Sequence, residues 1–347
     1  MQTPFRRHES SPVLRPQDLP DESALVFNAG VVEFDGQYLM AYRSDRGTAG
    51  NPFITGTDIG FATSADGVVW KPEPTVRFDR SASIELLQPL EPHRDLEQEL
   101  WRIYDPRLTV VDRHGIETLL MSFAADTTHG LRAGLAESID GERWQAIALS
   151  TPDNRNQVLF PELVDDHWLR LERPMNTYGG DAMGAERFGV WLSRSPDLIH
   201  WGQSRFLVDE ASFPFSDGKV GPGAPPVRTA EGWLCFVHAV ASHPTGGKRG
   251  WEDSWGRIYR VGAILLDLDD PSKVLAAAPV PVLEPEVDYE TDGFRNDVIF
   301  PTGAVARPGD NGDEVWLYYG AADTVVGLAT ARVDDVVEFV RVSAAAG

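Results

Sequence analysis

Apolar and polar residues alternate along this chain in short runs, and the runs come in pairs around a turn rich in Gly or Asp. Such pairs occupy 25–43 with its turn at Asp35-Gly36, 104–123 around His114-Gly115, 159–173 around Asp165-Asp166, 225–240 around Glu231-Gly232, and 298–320 around 309–313. A period of two puts alternate side chains on opposite faces, so each pair predicts a β-hairpin. Helical spacing is nearly absent, and a short acidic piece at 95–100 is the best helix candidate.

A third apolar run follows each hairpin and carries a degenerate repeat. Gly60-Phe61-Ala62-Thr63-Ser64-Ala65-Asp66-Gly67, followed by Trp70, recurs as Gly134-Leu135-Ala136-Glu137-Ser138-Ile139-Asp140-Gly141 before Trp144, and as Gly189-Val190-Trp191-Leu192-Ser193-Arg194-Ser195-Pro196-Asp197 before Trp201. Looser copies lie at 259–274, with Asp269-Asp270-Pro271, and at 326–340, with Asp334-Asp335. Five units of three to four antiparallel strands, none able to bury both faces alone, predict an all-β fold, a five-bladed β-propeller. The domain reading is an N-terminal arm over 1–23 and one propeller over 24–347. The arm, with Phe5 and the Arg6-Arg7 pair, is expected to fray or to pack on another subunit of a homo-oligomer.

Charge narrows the partners. The balance of 31 Lys+Arg against 53 Asp+Glu leaves −22, a field that repels nucleic acid and anionic bilayers. The single cysteine, Cys235, sits in an apolar run and excludes both an intramolecular disulfide framework and a Cys-rich metal site. The N-terminus has no apolar signal core, and no run approaches the ~18 apolar residues of a membrane span, so a soluble cytoplasmic protein is expected. Only Lys71, Lys219, Lys248 and Lys273 are lysines, which singles out Lys219 in Asp217-Gly218-Lys219-Val220-Gly221.

In a propeller, the starts of the first strands and the ends of the second converge on the axis. The repeat places Asn28, Asp105, Glu162, Gly223 and Pro301 at the starts, and Arg43 with Asp45, Asp126, Arg173, His238 and Asp323 at the ends. Asp105 stands before Pro106, which holds it extended, and it is the general-acid candidate; a turn Asp bridged to Arg107 is the plain alternative. Arg173, Lys219 and His238 would each alone be ordinary surface or core residues, Arg173 beside Glu172 and His238 as a satisfied imidazole. Together they form a cationic pocket of the kind that takes phosphate. The Gly-rich run 218–223 lacks the Gly-Lys-Ser/Thr ending of a nucleotide-binding loop. Asp323 suits sugar hydroxyls or an Asx-turn. Trp251 and Trp255, in 242–256, suit a sugar-stacking lid or plain packing.

These residues resemble glycoside hydrolase family 130, the β-mannoside phosphorylases and related mannosidases. The resemblance runs from Phe27-Asn28-Ala29-Gly30 through Asp105-Pro106-Arg107, Lys219-Val220-Gly221-Pro222-Gly223, Tyr259-Arg260-Val261-Gly262 and Val298-Ile299-Phe300-Pro301-Thr302-Gly303 to Tyr318-Tyr319-Gly320-Ala321-Ala322-Asp323. It implies a five-bladed propeller, Asp105 as the single catalytic acid, Asn28, Arg43 and Asp323 around the mannosyl unit, and Arg173, Lys219, His238 and Tyr259 as the phosphate-binding set. Asp45, Arg107 and Glu162 complete the substrate-binding candidates. The chain departs from the pattern at His238-Ala239-Val240, where relatives often read His-Gly-Val, and in the longer loops 176–187 and 242–256.

Inverting phosphorolysis needs one proton donor and a phosphate held behind the anomeric carbon. An inverting hydrolase needs a second carboxylate, typically about 6.5–9.5 Å from the first, to activate water, and Glu162 is the candidate for that base. The resemblance further implies that Asp105 protonates the leaving oxygen through a sugar hydroxyl. The expectation is a β-mannoside phosphorylase releasing α-mannose 1-phosphate, with phosphate as cosubstrate, no cofactor and no metal. A β-mannosidase and a noncatalytic sugar-binding propeller are the alternatives.

Overall fold

The structure is a computed structural model that describes residues 3–20, 23–48, 51–175, 188–242, 256–310 and 312–346, the side chains of 48 and 51–55 apart. The loop 176–187, and the part of 242–256 that holds Trp251 and Trp255, lie outside the described residues.

Five antiparallel sheets form the five blades of a β-propeller, four with their strands in sequence order and the fifth completed by a strand from the N-terminus. Blade one comprises Ser23–Phe34, Gln37–Thr48, Asn51–Ser64 and Lys71–Pro72. Blade two comprises Leu100–Arg113, Ile116–Thr127, Gly130–Ser138 and Gln145–Leu149. In blade three, Asn154–Leu159, Trp168–Pro174, Val190–Ser195 and Gly202–Val208 pair in that order. Blade four starts with the short Val220–Pro222 and continues through Trp233–Ser242, Arg257–Leu266 and Val274–Ala277. Blade five is Ile299–Arg307, Glu314–Ala321 and Val325–Arg332, completed by Arg6–Arg7 from the other end of the chain.

That last pairing changes the reading of the N-terminal arm. Arg6 pairs with Thr330 and Arg7 with Ala329, so the arm supplies the outer strand of blade five. Phe5 is buried edge-on against Phe236, and Arg7 donates to both carboxylate oxygens of the fully buried Glu290 at 2.7–2.8 Å. The arm thus covers part of the outer edge of Val325–Arg332 and ties the N-terminus to the last blade.

The repeated third-strand motif is a side-chain-capped turn. In blade one the amides of Val68 and Val69 donate to Asp66 Oδ1, and in blade two those of Glu142 and Arg143 donate to Asp140 Oδ1. Ile199 and His200 do the same to Asp197 in blade three, and Asp269 and Asp270 to Asp267 in blade four. The fifth copy departs from the expectation. Its strand ends at Arg332, and Asp334-Asp335 open the helix Val333–Ala346. Val333, Val336, Val337 and Val340, spaced i, i+3, i+4 and i+7, bury that helix on the shared core of blades four and five. A second unexpected helix, Arg80–Leu87, is capped by Asp79, which accepts from the Ala82 amide; the acidic piece at 95–100 contains the short helix Leu96–Glu99. Among the described residues no helix is long and apolar enough to cross a membrane.

Candidate active site

The innermost strands meet at the axis at backbone distance. Thr302 Oγ1 donates to the Ala29 carbonyl at 2.9 Å, and Arg107 Nε donates to the Gly223 carbonyl at 3.2 Å. Near its start each of the first three inner strands carries a bulge, with register shifts at 27–30, 104–107 and 155–158. A residue in the left-handed region sits at each bulge: Asn28 (φ 51°), Asp105 (φ 53°) and Asn156 (φ 56°), so Asp105 is not extended as expected of a residue before proline; the bulge sets its backbone instead. Asn and Asp tolerate this conformation best, and the bulge re-aims their side chains. All three line one cavity of about 360 Å³. Gly320 makes room for the first, since a Cβ there would collide with Asn28 Oδ1.

Asp105 is 2% exposed and every contact to its carboxylate is a donor. Asn28 Nδ2 (2.9 Å) and Arg43 Nη1 (3.4 Å) reach Oδ1, and Arg155 Nη2 (3.0 Å) reaches Oδ2. Burial alone pushes this carboxyl up, but Arg43, Arg155, Arg107 and the Asn28 amide together overcome it and hold it at about 2. Arg43 is locked in turn. Asp45 accepts from its Nε (3.0 Å) and Nη2 (2.8 Å), and the rings of Phe27 and Tyr104 lie 4.6 and 4.9 Å from its guanidinium carbon. Asp323, 8% exposed, accepts from Arg295 Nη1 at 3.2 Å, and its carboxyl is raised, because burial outweighs the attraction of Arg295 and Arg43.

Across the cavity stand Arg173, Lys219, His238, Arg257 and Tyr259. Arg173 Nη1 lies 3.0 Å from His238 Nε2; a guanidinium only donates, so Nε2 accepts and the imidazole is neutral with its proton on Nδ1. Burial, then the charges of Arg173, Arg107, Lys219 and Arg155, depress the His238 pKa well below its ordinary value. The ring stacks on Tyr259 (6.2 Å, 17°) and tilts against Phe300 at 4.5 Å. Gly221 is required for this packing, since a Cβ there would sit 2.5 Å from His238 Cε1. Lys219 Nζ lies 5.9 Å from the Tyr259 ring centre. Among the described residues the lining counts five arginines and one lysine against two carboxylates, Asp105 and Asp323. In a chain of net charge −22, this is a local reversal of sign.

The sequence profile of the family described as beta-1,4-mannooligosaccharide phosphorylase matches residues 5–342. The chain belongs to glycoside hydrolase family 130. A 1,2-beta-oligomannan phosphorylase of Thermoanaerobacter sp. (strain X514) is 30% identical over 338 residues, covering 96% of this chain and 98% of that protein. A beta-1,4-mannooligosaccharide phosphorylase of Ruminococcus albus is 29% identical, covering 96% of this chain and 90% of its own. The solved structure of the beta-1,2-mannobiose phosphorylase from Listeria innocua, a complex with beta-1,2-mannobiose, superposes with a TM-score of 0.74 at 25% identity, covering 97% of this chain and 99% of that one.

Within this family 130 chain, Asn28, Arg43, Asp105, Arg173, Lys219, His238, Tyr259 and Asp323 line one cavity, as their sequence positions predict. Asp45 and Arg107 do not line it; each stands behind a lining residue, Asp45 gripping Arg43 and Arg107 donating to the Asp105 carbonyl at 2.7 Å. Asp126 accepts from Arg102 and from the Tyr104 hydroxyl. Glu162 is displaced. It follows the far end of the inner strand of blade three and pairs on the surface with Arg228 at 2.8 Å, so it is neither a substrate ligand nor a base in this cavity. The inner strand begins at Asn154 rather than at 159, and its start delivers Arg155 and Asn156, which the sequence reading missed. Arg257 and Arg295, also missed, enter from the third strand of blade four and from the segment before the inner strand of blade five.

Proposed function

We propose that the protein catalyses inverting phosphorolysis of a β-linked mannoside, releasing α-mannose 1-phosphate and a shortened acceptor. The reading rests on one observation: a single buried carboxyl, Asp105, shares its cavity with a cationic wall whose blades, three and four, contribute no lining carboxylate among the described residues. A phosphate oxygen attacks the anomeric carbon from the side opposite the leaving group. The C1–O bond to the acceptor breaks as the C1–O–P bond forms, and the proton of Asp105 passes to the leaving oxygen through a sugar hydroxyl. Arg173, Lys219 and His238 hold the phosphate, and Tyr259 backs the imidazole; Asn28, Arg43 and Asp323 hold the mannosyl unit. Phosphate brings its own charge and needs orientation more than deprotonation.

Water in its place would need a base. Glu162 is on the surface, and Asp323 is engaged by Arg295. Relatives named for β-1,2-linked mannosides, at 28–30% identity, support β-1,2-mannobiose and its longer homologues as the first substrates, ahead of β-1,4. The test is incubation with β-1,2- and β-1,4-mannobiose with and without inorganic phosphate, followed by chromatography. Mannose 1-phosphate formed only with phosphate is the expected result. Free mannose regardless of phosphate makes the protein a mannosidase, and binding without turnover makes it a sugar-binding propeller.

A further inference from the structure

An acid catalyst must carry a proton, yet Asp105 accepts from donors on both oxygens and is ionised near neutral pH. Three guanidiniums hold it so, and they differ in how they are fixed. Arg43 is clamped from behind by Asp45 and lies between two aromatic rings. Arg107 is tied to the carbonyls of Asp105 and Gly223 beneath the cavity floor. Arg155 is held less firmly: no carboxylate clamps it from behind among the described residues, and one ring, Tyr104, lies 5.5 Å from its guanidinium carbon. Its Nε donates to Asn156 at 3.3 Å, its one ion pair among the described residues is with Asp105, and its side chain is 24% exposed on the wall shared with Arg173 and His238.

We propose that Arg155 is a shared guanidinium: it holds Asp105 as a carboxylate while the cavity is empty and turns to a phosphate oxygen when the anion enters, so that anion binding draws a proton from solvent onto Asp105. The inference rests on the phosphorolysis reading above. A phosphate among Arg173, Lys219 and His238 offers Arg155 a bidentate partner of higher charge than one carboxylate oxygen. Asp105 then loses its Oδ2 donor and faces a new anion from blades three and four, while Arg43 from blade one and Arg107 of its own strand remain. Asp323 from blade five, paired with Arg295, and Asp126 behind Tyr104 add negative charge on the same side. Protonation relieves that repulsion, and Oδ2 becomes the donor that a sugar hydroxyl needs. The acid is therefore armed only when the nucleophile is present, which disfavours hydrolysis of a substrate bound without phosphate. After the proton has gone to the acceptor, departure of mannose 1-phosphate returns Arg155 to Asp105.

Infrared difference spectroscopy of the whole protein tests this, with inorganic phosphate and with sulfate, which does not titrate near neutral pH. Each anion is expected to raise a protonated-carboxyl band worth one group, shifted by ¹³C-aspartate labelling and lost in Asp105→Asn. Protonation of His238 gives no such band. In Arg155→Gln the band should appear at higher pH than in the wild type before any anion is added, and the anion-induced rise should shrink; Arg155→Met, which also removes the charge, serves if the Gln variant does not fold. Saturating calorimetric heat with no carboxyl band would overturn the coupling and leave the phosphorylase reading intact. Absence of any anion binding would overturn both.

Discussion

On the side of the cavity built by blades one, two and five, arginines are matched to carboxylates: Arg43 to Asp45 and Asp105, and Arg295 to Asp323. On the side built by blades three and four, Arg173 donates to a neutral imidazole and Lys219 stands over a phenol ring, and no lining carboxylate belongs to those blades among the described residues. The first side is electrically closed and suits an uncharged polyol, whose hydroxyls both donate and accept. The second brings Arg155, Arg173, Lys219 and Arg257 to one wall, a set of cations that suits an anion. His238 stays neutral on this side, because burial and the charges of Arg173, Arg107 and Lys219 disfavour an imidazolium there.

The sharpest break of the comparison is Asp105→Asn. It removes the proton donor and should lower kcat by about 10³-fold in steady-state assays while phosphate still binds. Next, Arg173→Ala and Lys219→Ala should each weaken phosphate roughly 10–100-fold, as loss of a charge-assisted bond does, with little change in KM for the glycoside. If glycoside KM rises in step, the two sides are not separate. Gly221→Ala should displace His238 and raise the phosphate KM about tenfold, with overpacking lowering stability by about 1–3 kcal/mol in denaturant melts.

A pH effect follows in size. The folded pKa of His238 lies below its unfolded value near 6.5, so on acidification the unfolded chain takes up the proton first. Its contribution is therefore complete above that value and lost as pH falls below it. Asp105, held at about 2, acts in the same direction, its contribution complete above the ordinary aspartate value and lost toward about 2. The melting temperature should fall between neutral pH and about pH 5, and His238→Phe should flatten that fall. Smallest of all, Glu162→Gln should leave turnover within about twofold of wild type, because it breaks one exposed ion pair with Arg228.

The five-bladed fold was legible because its hairpins and Asp-capped turns recur in four blades with the same backbone amides satisfied. Much of the site was legible for a related reason, since a repeat that locates one strand end locates them all. It failed where function overwrites the pattern. Asn154-Arg155-Asn156-Gln157 is the start of an inner strand, but it is polar because it faces the cavity and the cleft between blades, so the apolar alternation began to register only near Leu159. That slip promoted Glu162 and hid Arg155. Asn156 was the available signal, since it holds the same bulge and left-handed backbone as Asn28 and Asp105. Arg295 had none, because it sits in a connection outside the repeat. The C-terminal helix was missed because its valines also satisfy a strand when read only to Val340.

The most direct test of the two-sided cavity is calorimetric titration of folded Asp105→Asn with inorganic phosphate. The account predicts binding at least as tight as in the wild type, because the anion wall is intact and Arg155 no longer answers to a carboxylate. Loss of phosphate binding in that variant would contradict it.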